Sequence, residues 1–224
     1  MPGVLILLFA GVAVVLFVVG HHVEKKRQET FKAYAGSRSL LYSPHKDYRF
    51  DEQFRAFSHL RQGSNRYLRH RFQGQTEGQD LLMGEYHYQV TRSSGKSSQT
   101  HHYYATVVLL RVAFRLSDLS IREEGLFDKM KAAFGWDDID FSSVAFSKRF
   151  HVSAPNRNDA FALIQPRTMD LLMSHRKFEL HSREGWLMLH RRGSMRVEDL
   201  EELRQLALAF LEEVPGFVKE GESE

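Results

Sequence analysis

The fold is decided between residues 80 and 115, which read DLLMGEYHYQVTRSSGKSSQTHHYYATVVLLRVAFR. In the first part, alternating apolar residues would lie on one face of a strand, a pattern typical of a half-buried strand. These residues are Leu82, Tyr86, Tyr88 and Val90. The apolar run 107–110 is uninterrupted and predicts a central strand that is covered on both sides. Small polar residues at 93–98 predict the turn between them. The two segments are therefore expected to form part of an antiparallel meander.

The flanking patterns extend this meander into an α+β domain with a mainly antiparallel sheet and packed helices. Upstream, a strand is predicted at 66–72, and apolar residues at steps of three and four predict an amphipathic helix that Asp51 caps. That apolar stripe, which we expect in the core, consists of Phe50, Phe54, Phe57 and Leu60. Downstream, the patterns predict strands at 119–122 and 144–152, helices at 126–134, 158–164, 166–175 and 200–214, and a hairpin at 178–191.

An apolar run precedes the domain and contains no ionisable side chain. A helix from Pro2 to Gly20 would be about 28 Å long, close to the roughly 30 Å of a bilayer core. A cleaved signal peptide and a buried core helix are the alternatives, but the run is long and no basic residue precedes it, so we expect a retained transmembrane anchor. The anchor residues are Val4, Leu5, Ile6, Leu7, Leu8, Phe9, Val12, Val14, Val15, Leu16, Phe17, Val18 and Val19.

Basic residues follow the run directly, at Lys25, Lys26, Arg27 and Lys32. Because short basic flanks stay on the cytoplasmic side, we expect the amino terminus outside and the main domain inside. The predicted organisation is an anchor at 1–20, a juxtamembrane helix or stalk at 21–37, the α+β domain at 38–215 and a disordered tail at 216–224.

The composition limits the possible chemistry and partners. With no cysteine, disulfides, cysteine-ligated zinc and a thiol nucleophile are excluded. The formal net charge of +3 is too small to imply a nucleic-acid partner, while the lipid bilayer and a membrane or cytoplasmic protein are the expected partners. A basic patch could meet anionic lipid or a partner protein, although solvated surfaces explain the same residues. The patch residues are Lys25, Lys26, Arg27, Arg69 and Arg71.

Two groups of side chains are weak candidates for a metal site. Asp137, Asp138 and Asp140 offer hard oxygen ligands, but turn formation and ion pairing explain them better. His87 and His102 face each other across the predicted hairpin, where cross-strand packing is the simpler interpretation. We therefore expect no bound metal and no cofactor, and no residue set completes a catalytic pattern.

Several segments resemble a family of uncharacterised bacterial proteins. They are GLFDK at 125–129, DDIDF at 137–141 and FSKRFHV at 146–152, with Pro166, Met169 and Leu172 downstream. Members join one or two membrane helices to a cytoplasmic domain of unknown function, and the similarity covers residues 57–214. The resemblance implies a place at the inner membrane of a bacterium and says nothing about chemistry.

Two functional hypotheses follow. The preferred one is a non-enzymatic interaction or regulatory domain tethered at the cytoplasmic face of the membrane. The alternative is a membrane-anchored, hydrolase-like enzyme acting on a lipid or phosphate compound, with Asp138, Asp140 and a histidine as its reactive groups. A deep pocket joining those groups would favour the enzyme.

Overall fold

The computed structural model describes residues 2–95, 97–123, 136 and 138–220, with side chains for all of them except 2–10 and 13. In this part of the chain, eight strands form one antiparallel sheet with helices on both faces, which confirms the α+β class. The strands are β1 (Leu41–Ser43), β2 (Ser64–Thr76), β3 (Gln79–Ser94), β4 (Ser97–Arg111), β5 (Leu119–Glu123), β6 (Phe150–Ser153), β7 (Glu179–Arg183) and β8 (Trp186–Arg192). The helices are α1 (Pro2–Ser37), α2 (Phe50–Gln53), α3 (Val144–Arg149), α4 (Arg157–Leu163), α5 (Pro166–Ser174), α6 (Val197–Glu213) and α7 (Gly216–Glu220), with a 3-10 turn at Ser58–Arg61.

The predicted meander occupies the middle of the sheet. The strand order is β1-β2-β3-β4-β8-β7-β5-β6, so β4 lies in the interior, as its apolar run predicts. Val108 and Leu110 point to one apolar core, and Val107 and Leu109 point to another on the opposite face. All four side chains are at most 1% exposed. The centre of the sheet is therefore covered on both sides.

The smaller core is built by the segment that follows β1. Its apolar stripe is buried as predicted, at no more than 3% exposed. The prediction of one continuous helix is wrong, because α2 ends at Gln53. The amide of Phe57 then donates to the carbonyl of Phe54, which closes a turn leading into the 3-10 turn. Asp51 lies inside α2 and accepts a 2.7 Å hydrogen bond from Arg66, so it does not cap the helix.

The segment 144–152, predicted as one strand, is helix α3 followed by strand β6. The Ser143 hydroxyl accepts a hydrogen bond from the amide of Phe146 and caps α3. Phe146 and Phe150 are four residues apart, so one helical turn buries both just as alternation would. Val144 is 66% exposed, which a strand with its apolar face inward would not allow. The short apolar pattern fitted both periods, and the cap selects the helix.

Helix α1 joins the predicted anchor and stalk without a break. Its carboxyl-terminal part enters the larger core through Phe31 and Ala35, which are 2% and 3% exposed. Apolar side chains at least half exposed occupy much of the earlier part; they are Val12, Val14, Val15, Leu16, Phe17, Val18, Val19 and Val23. Among the described residues, no helix combines the length and the apolar character that a membrane crossing requires. The predicted transmembrane span is therefore not confirmed.

The carboxyl-terminal segment differs from its prediction as well. Gly216–Glu220 form α7 where we predicted a disordered tail. The carbonyl of Pro215 accepts hydrogen bonds from the amides of Val218 and Lys219, and the Lys219 ammonium donates to the Glu212 carbonyl. The first two bonds form the first turn of α7, and the third joins that turn to the end of α6. The helix predicted at 126–134 lies outside the described residues.

Candidate functional site

The junction between α1 and the sheet is built around Glu85, a carboxylate with no exposed surface. Strand pairing places Arg69 of β2 directly opposite Glu85 of β3. Arg69 Nε donates to one carboxylate oxygen at 2.7 Å, and Arg27 of α1 donates to the other at 2.5 Å. The Met195 amide, just before α6, donates to that second oxygen at 2.8 Å. We call Glu85, Arg27 and Arg69 the Glu85 junction.

The Glu85 carboxylate keeps its charge in spite of its burial. Burial by itself raises the pKa of Glu85, but hydrogen bonds from Arg27 and Met195 and the charge of Arg69 bring that pKa below its ordinary value. The anion thus holds two guanidinium groups, one from the helix and one from the sheet. Loss of the Glu85 charge would leave both guanidinium groups without their anion.

A histidine makes a second contact between α1 and the sheet. His70 of β2 is 1% exposed, and its Nε2 lies 3.1 Å from a carboxylate oxygen of Glu24 in α1. Its Nδ1 is hydrogen-bonded to the Tyr42 hydroxyl at 2.8 Å. Burial and the neighbouring charge of Arg27 lower the pKa of His70 to about 4, so the ring is neutral at neutral pH.

The carboxyl-terminal end of α1 is fixed to α6 through Glu201. The Tyr34 hydroxyl donates to Glu201 at 2.9 Å, and Arg38 donates to its other oxygen at 2.8 Å. Arg204, one turn further along α6, also donates to Glu201, at 2.7 Å. The hydrogen bond from Arg204 is the largest influence and lowers the pKa of Glu201 to about 2. Helix α1 is therefore attached to the domain at two separate levels.

The predicted basic patch is divided between ion pairs and the surface. Arg27 and Arg69 bind Glu85, and Arg71 pairs with Asp47 at 3.2 Å. A break in the β2–β3 register follows Arg69, and His70 there has a φ of +50°, so the regular strand alternation is lost. Lys25 and Lys26 are exposed on α1, just beyond its apolar part.

The acidic candidates lie on an exposed part of the surface. Asp138 accepts a 2.9 Å hydrogen bond from His151, and the Asp138 side chain is 53% exposed. Asp140 is also exposed, and Asp137 lies outside the described residues. A cavity of about 370 Å³ exists elsewhere, at the carboxyl-terminal end of α1, where Thr76, Glu77 and Arg204 are among its lining residues. Neither Asp138 nor Asp140 lines it.

The structure brings the two candidate histidines of the hairpin together. His87 Nε2 lies 3.0 Å from His102 Nδ1, and His87 Nδ1 lies 3.0 Å from the Asn65 carbonyl. Burial lowers the pKa of His87 below its ordinary value. Both nitrogens of His87 therefore have hydrogen-bond partners within the protein.

A different set of histidines, which the sequence analysis did not identify, lies on the smaller-core face. Strand pairing places His190 of β8 opposite Glu179 of β7, and His181 lies two residues after Glu179 on the same face. The ring of His59, from the 3-10 turn, stacks on those of His181 and His190, with centroids 4.4 Å and 4.6 Å away. We call His59, His181 and His190 the histidine cluster. The alternation of Glu179 and His181, with His190 across the predicted hairpin, is the signal that could have revealed two of its members.

Comparisons with known proteins identify a fold and no family. No family model matches this chain, and no curated protein does. Among solved structures, the chain is similar to the crystal structure of the mycobacterial trehalose monomycolate transport factor A, TtfA. The TM-score is 0.59 at 13% sequence identity, with 84% of this chain and 95% of that chain covered. At this identity the similarity shows a shared fold alone. The resemblance to the uncharacterised bacterial family stays a prediction.

Proposed function

We propose that this protein is a non-enzymatic interaction or regulatory domain, tethered by α1 to the cytoplasmic face of a bacterial inner membrane. The observation that carries the proposal is the division of α1 into two parts. One part is built into the domain core through Phe31 and the Glu85 junction. The other presents large apolar side chains that the domain does not cover.

The amino-terminal part of α1 is about as long as a bilayer core is thick. Residues 2–23 rise about 33 Å as a helix, against about 30 Å for the hydrocarbon core of a bilayer. Phe17 and Leu16, 75% and 67% exposed, are typical of side chains that meet lipid or another protein. Continuous exposure from Val14 to Val19 covers more than one helical turn, so a partner groove on one side would leave apolar surface in water. Lipid surrounds such a helix completely.

The exposed lysines give the tether a direction. Lys25 and Lys26 follow the apolar part and favour the cytoplasmic side, which places the amino terminus outside. Because α1 continues without interruption into the core, the domain is held close to the membrane in a defined orientation. Its partner on this proposal is a membrane or cytoplasmic protein.

Two observations support a non-enzymatic role. The Asp138–His151 pair is exposed, and neither Asp138 nor Asp140 lines the cavity at the carboxyl-terminal end of α1, whereas catalytic groups usually converge in a cleft. The structurally similar protein is named a transport factor. A domain that binds another protein beside the membrane suits an accessory role of that kind.

Membrane fractionation tests the tether. Val12→Lys with Val15→Lys places two charges near the middle of the apolar run, each costing about 2.5–3.5 kcal/mol in a membrane helix. We expect the native full chain to resist carbonate extraction and the double variant to appear in the soluble fraction. The matched control, Leu41→Lys with Val144→Lys, alters domain side chains that are 76% and 66% exposed and should stay membrane-bound. Equal fractionation of native and Val12/Val15 variant proteins would contradict the proposal.

A further inference from the structure

The histidine cluster contains ring nitrogens without hydrogen-bond partners in the described structure. They are both nitrogens of His59 and the Nε2 atoms of His181 and His190. The side chains of His181 and His190 are 2% and 9% exposed, and both His59 nitrogens are buried although the residue as a whole is half-buried. A buried nitrogen left unpaired costs free energy, and so many at one place are unusual in a folded domain. A bound ligand that accepts several lone pairs would remove that cost.

The hydrogen bonding around the cluster suits a cation, because a metal ion binds the lone pair of an imidazole nitrogen. The Ser120 hydroxyl, 2.9 Å from His181 Nδ1, fixes that ring and leaves its Nε2 directed into the cluster. Metal-bound histidines commonly have such a partner on the other nitrogen.

A carboxylate lies beside the same nitrogens. Glu179 Oε2 is 3.6 Å from His181 Nε2 and 3.5 Å from His190 Nε2, which is long for a hydrogen bond. The Glu179 side chain is itself only 8% exposed. Arg192 lies 3.6 Å from its other oxygen, and Arg183 directs its guanidinium to backbone carbonyls. The positive charges of Arg192 and Arg183 weaken the binding of a metal ion, so we expect a bound ion that a chelator can remove.

From this arrangement we infer that the histidine cluster, with Glu179 as fourth ligand, binds one divalent transition-metal ion of the zinc type. One ligand nitrogen from each histidine lies within 4.8 Å of the other two. Tetrahedral zinc, with Zn–N bonds of about 2.0–2.1 Å, requires nitrogens about 3.3 Å apart. The rings are stacked within 12–26° of parallel. On this proposal His59 and His190 turn towards the ion, while Ser120 holds the ring of His181. Three imidazoles and one carboxylate form a donor set that zinc readily accepts.

Calorimetric titration with zinc chloride tests the inference. The untagged full chain in detergent micelles at pH 7.5, stripped with chelator, should take up about one ion per chain and show a raised thermal midpoint. His59→Phe keeps an aromatic ring in the stack and removes a ligand, so affinity should fall roughly tenfold or more. His102→Phe removes a histidine from the pair with His87 and is the matched control. It should bind as the native chain does.

Two results would overturn the inference: no zinc uptake by the native chain, or uptake that His59→Phe leaves unchanged. If His59→Phe alters the circular dichroism spectrum, cobalt(II) added to the His102→Phe chain decides the question instead. A tetrahedral site gives visible absorption bands that zinc removes by competition. Absence of those bands would also overturn the inference. The membrane tether has no part in these measurements, so they succeed or fail independently of it.

Discussion

Neutralising Glu85 is expected to weaken the attachment of α1 to the domain more than any surface change. Glu85→Gln keeps the shape of the side chain and removes the charge that holds Arg27 and Arg69. Removing one partner of a buried ion pair costs about 3–5 kcal/mol. The side chains of Arg27 and Arg69 are 22% and 24% exposed, so water can partly solvate them when the Glu85 charge is removed. We therefore expect a loss of about 3 kcal/mol, at the lower end of that range.

Urea unfolding of the full chain in non-ionic detergent, followed by tryptophan fluorescence, measures this loss. With a urea dependence of about 2–3 kcal/mol per molar, the midpoint should fall by about 1–1.5 M. The control is Glu52→Gln, an exposed glutamate of α2, which should change stability by less than about 0.5 kcal/mol. If Glu85→Gln unfolds at the same urea concentration as that control, the Glu85 junction does not stabilise the protein and the reasoning is wrong.

Two further predictions concern pH and catalysis. In the presence of a chelator, stability should fall as pH drops from about 6.5 to about 4, because His70 and His181 have pKa values near 4 when folded and take up protons more readily when unfolded. The slope is at most about 1.4 kcal/mol per pH unit for each histidine, and a flat urea midpoint between pH 7 and pH 4.5 would refute it. Asp138→Asn with Asp140→Asn should leave cellular function intact in a complementation assay. Loss of function with unchanged folding would instead favour the hydrolase alternative.

Local patterns were sufficient to predict the central sheet. Each of these patterns spans only a few neighbouring residues: the alternation at 80–91, the apolar run at 107–110 and the polar turn between them. The observed strands β3 and β4 agree with them. The same local patterns failed at 144–152, because Phe146 and Phe150 satisfy both a helical and a strand period. There the cap at Ser143 decided the outcome.

The candidate sites depended on contacts between distant parts of the chain. Glu85 lies among apolar residues of the predicted strand, which indicates that a cation faces it. Only the packing of α1 shows that Arg27 is one of its partners. His181 and His190 are neighbours through the β7–β8 hairpin, whereas His59 reaches them from the 3-10 turn, far earlier in the chain. The periodicity of the sequence therefore could not predict that His59 contacts His181 and His190.

Cysteine labelling in intact bacterial spheroplasts tests the membrane tether most directly. The chain has no native cysteine, so Gly3→Cys and Ser223→Cys each provide a single site for a membrane-impermeant maleimide, with the native protein as the blank. With an outward amino terminus and a cytoplasmic domain, we expect labelling of Gly3→Cys in intact spheroplasts and labelling of Ser223→Cys only after lysis. Labelling of Ser223→Cys before lysis, or protection of both sites until lysis, would contradict an outward amino terminus and a cytoplasmic domain.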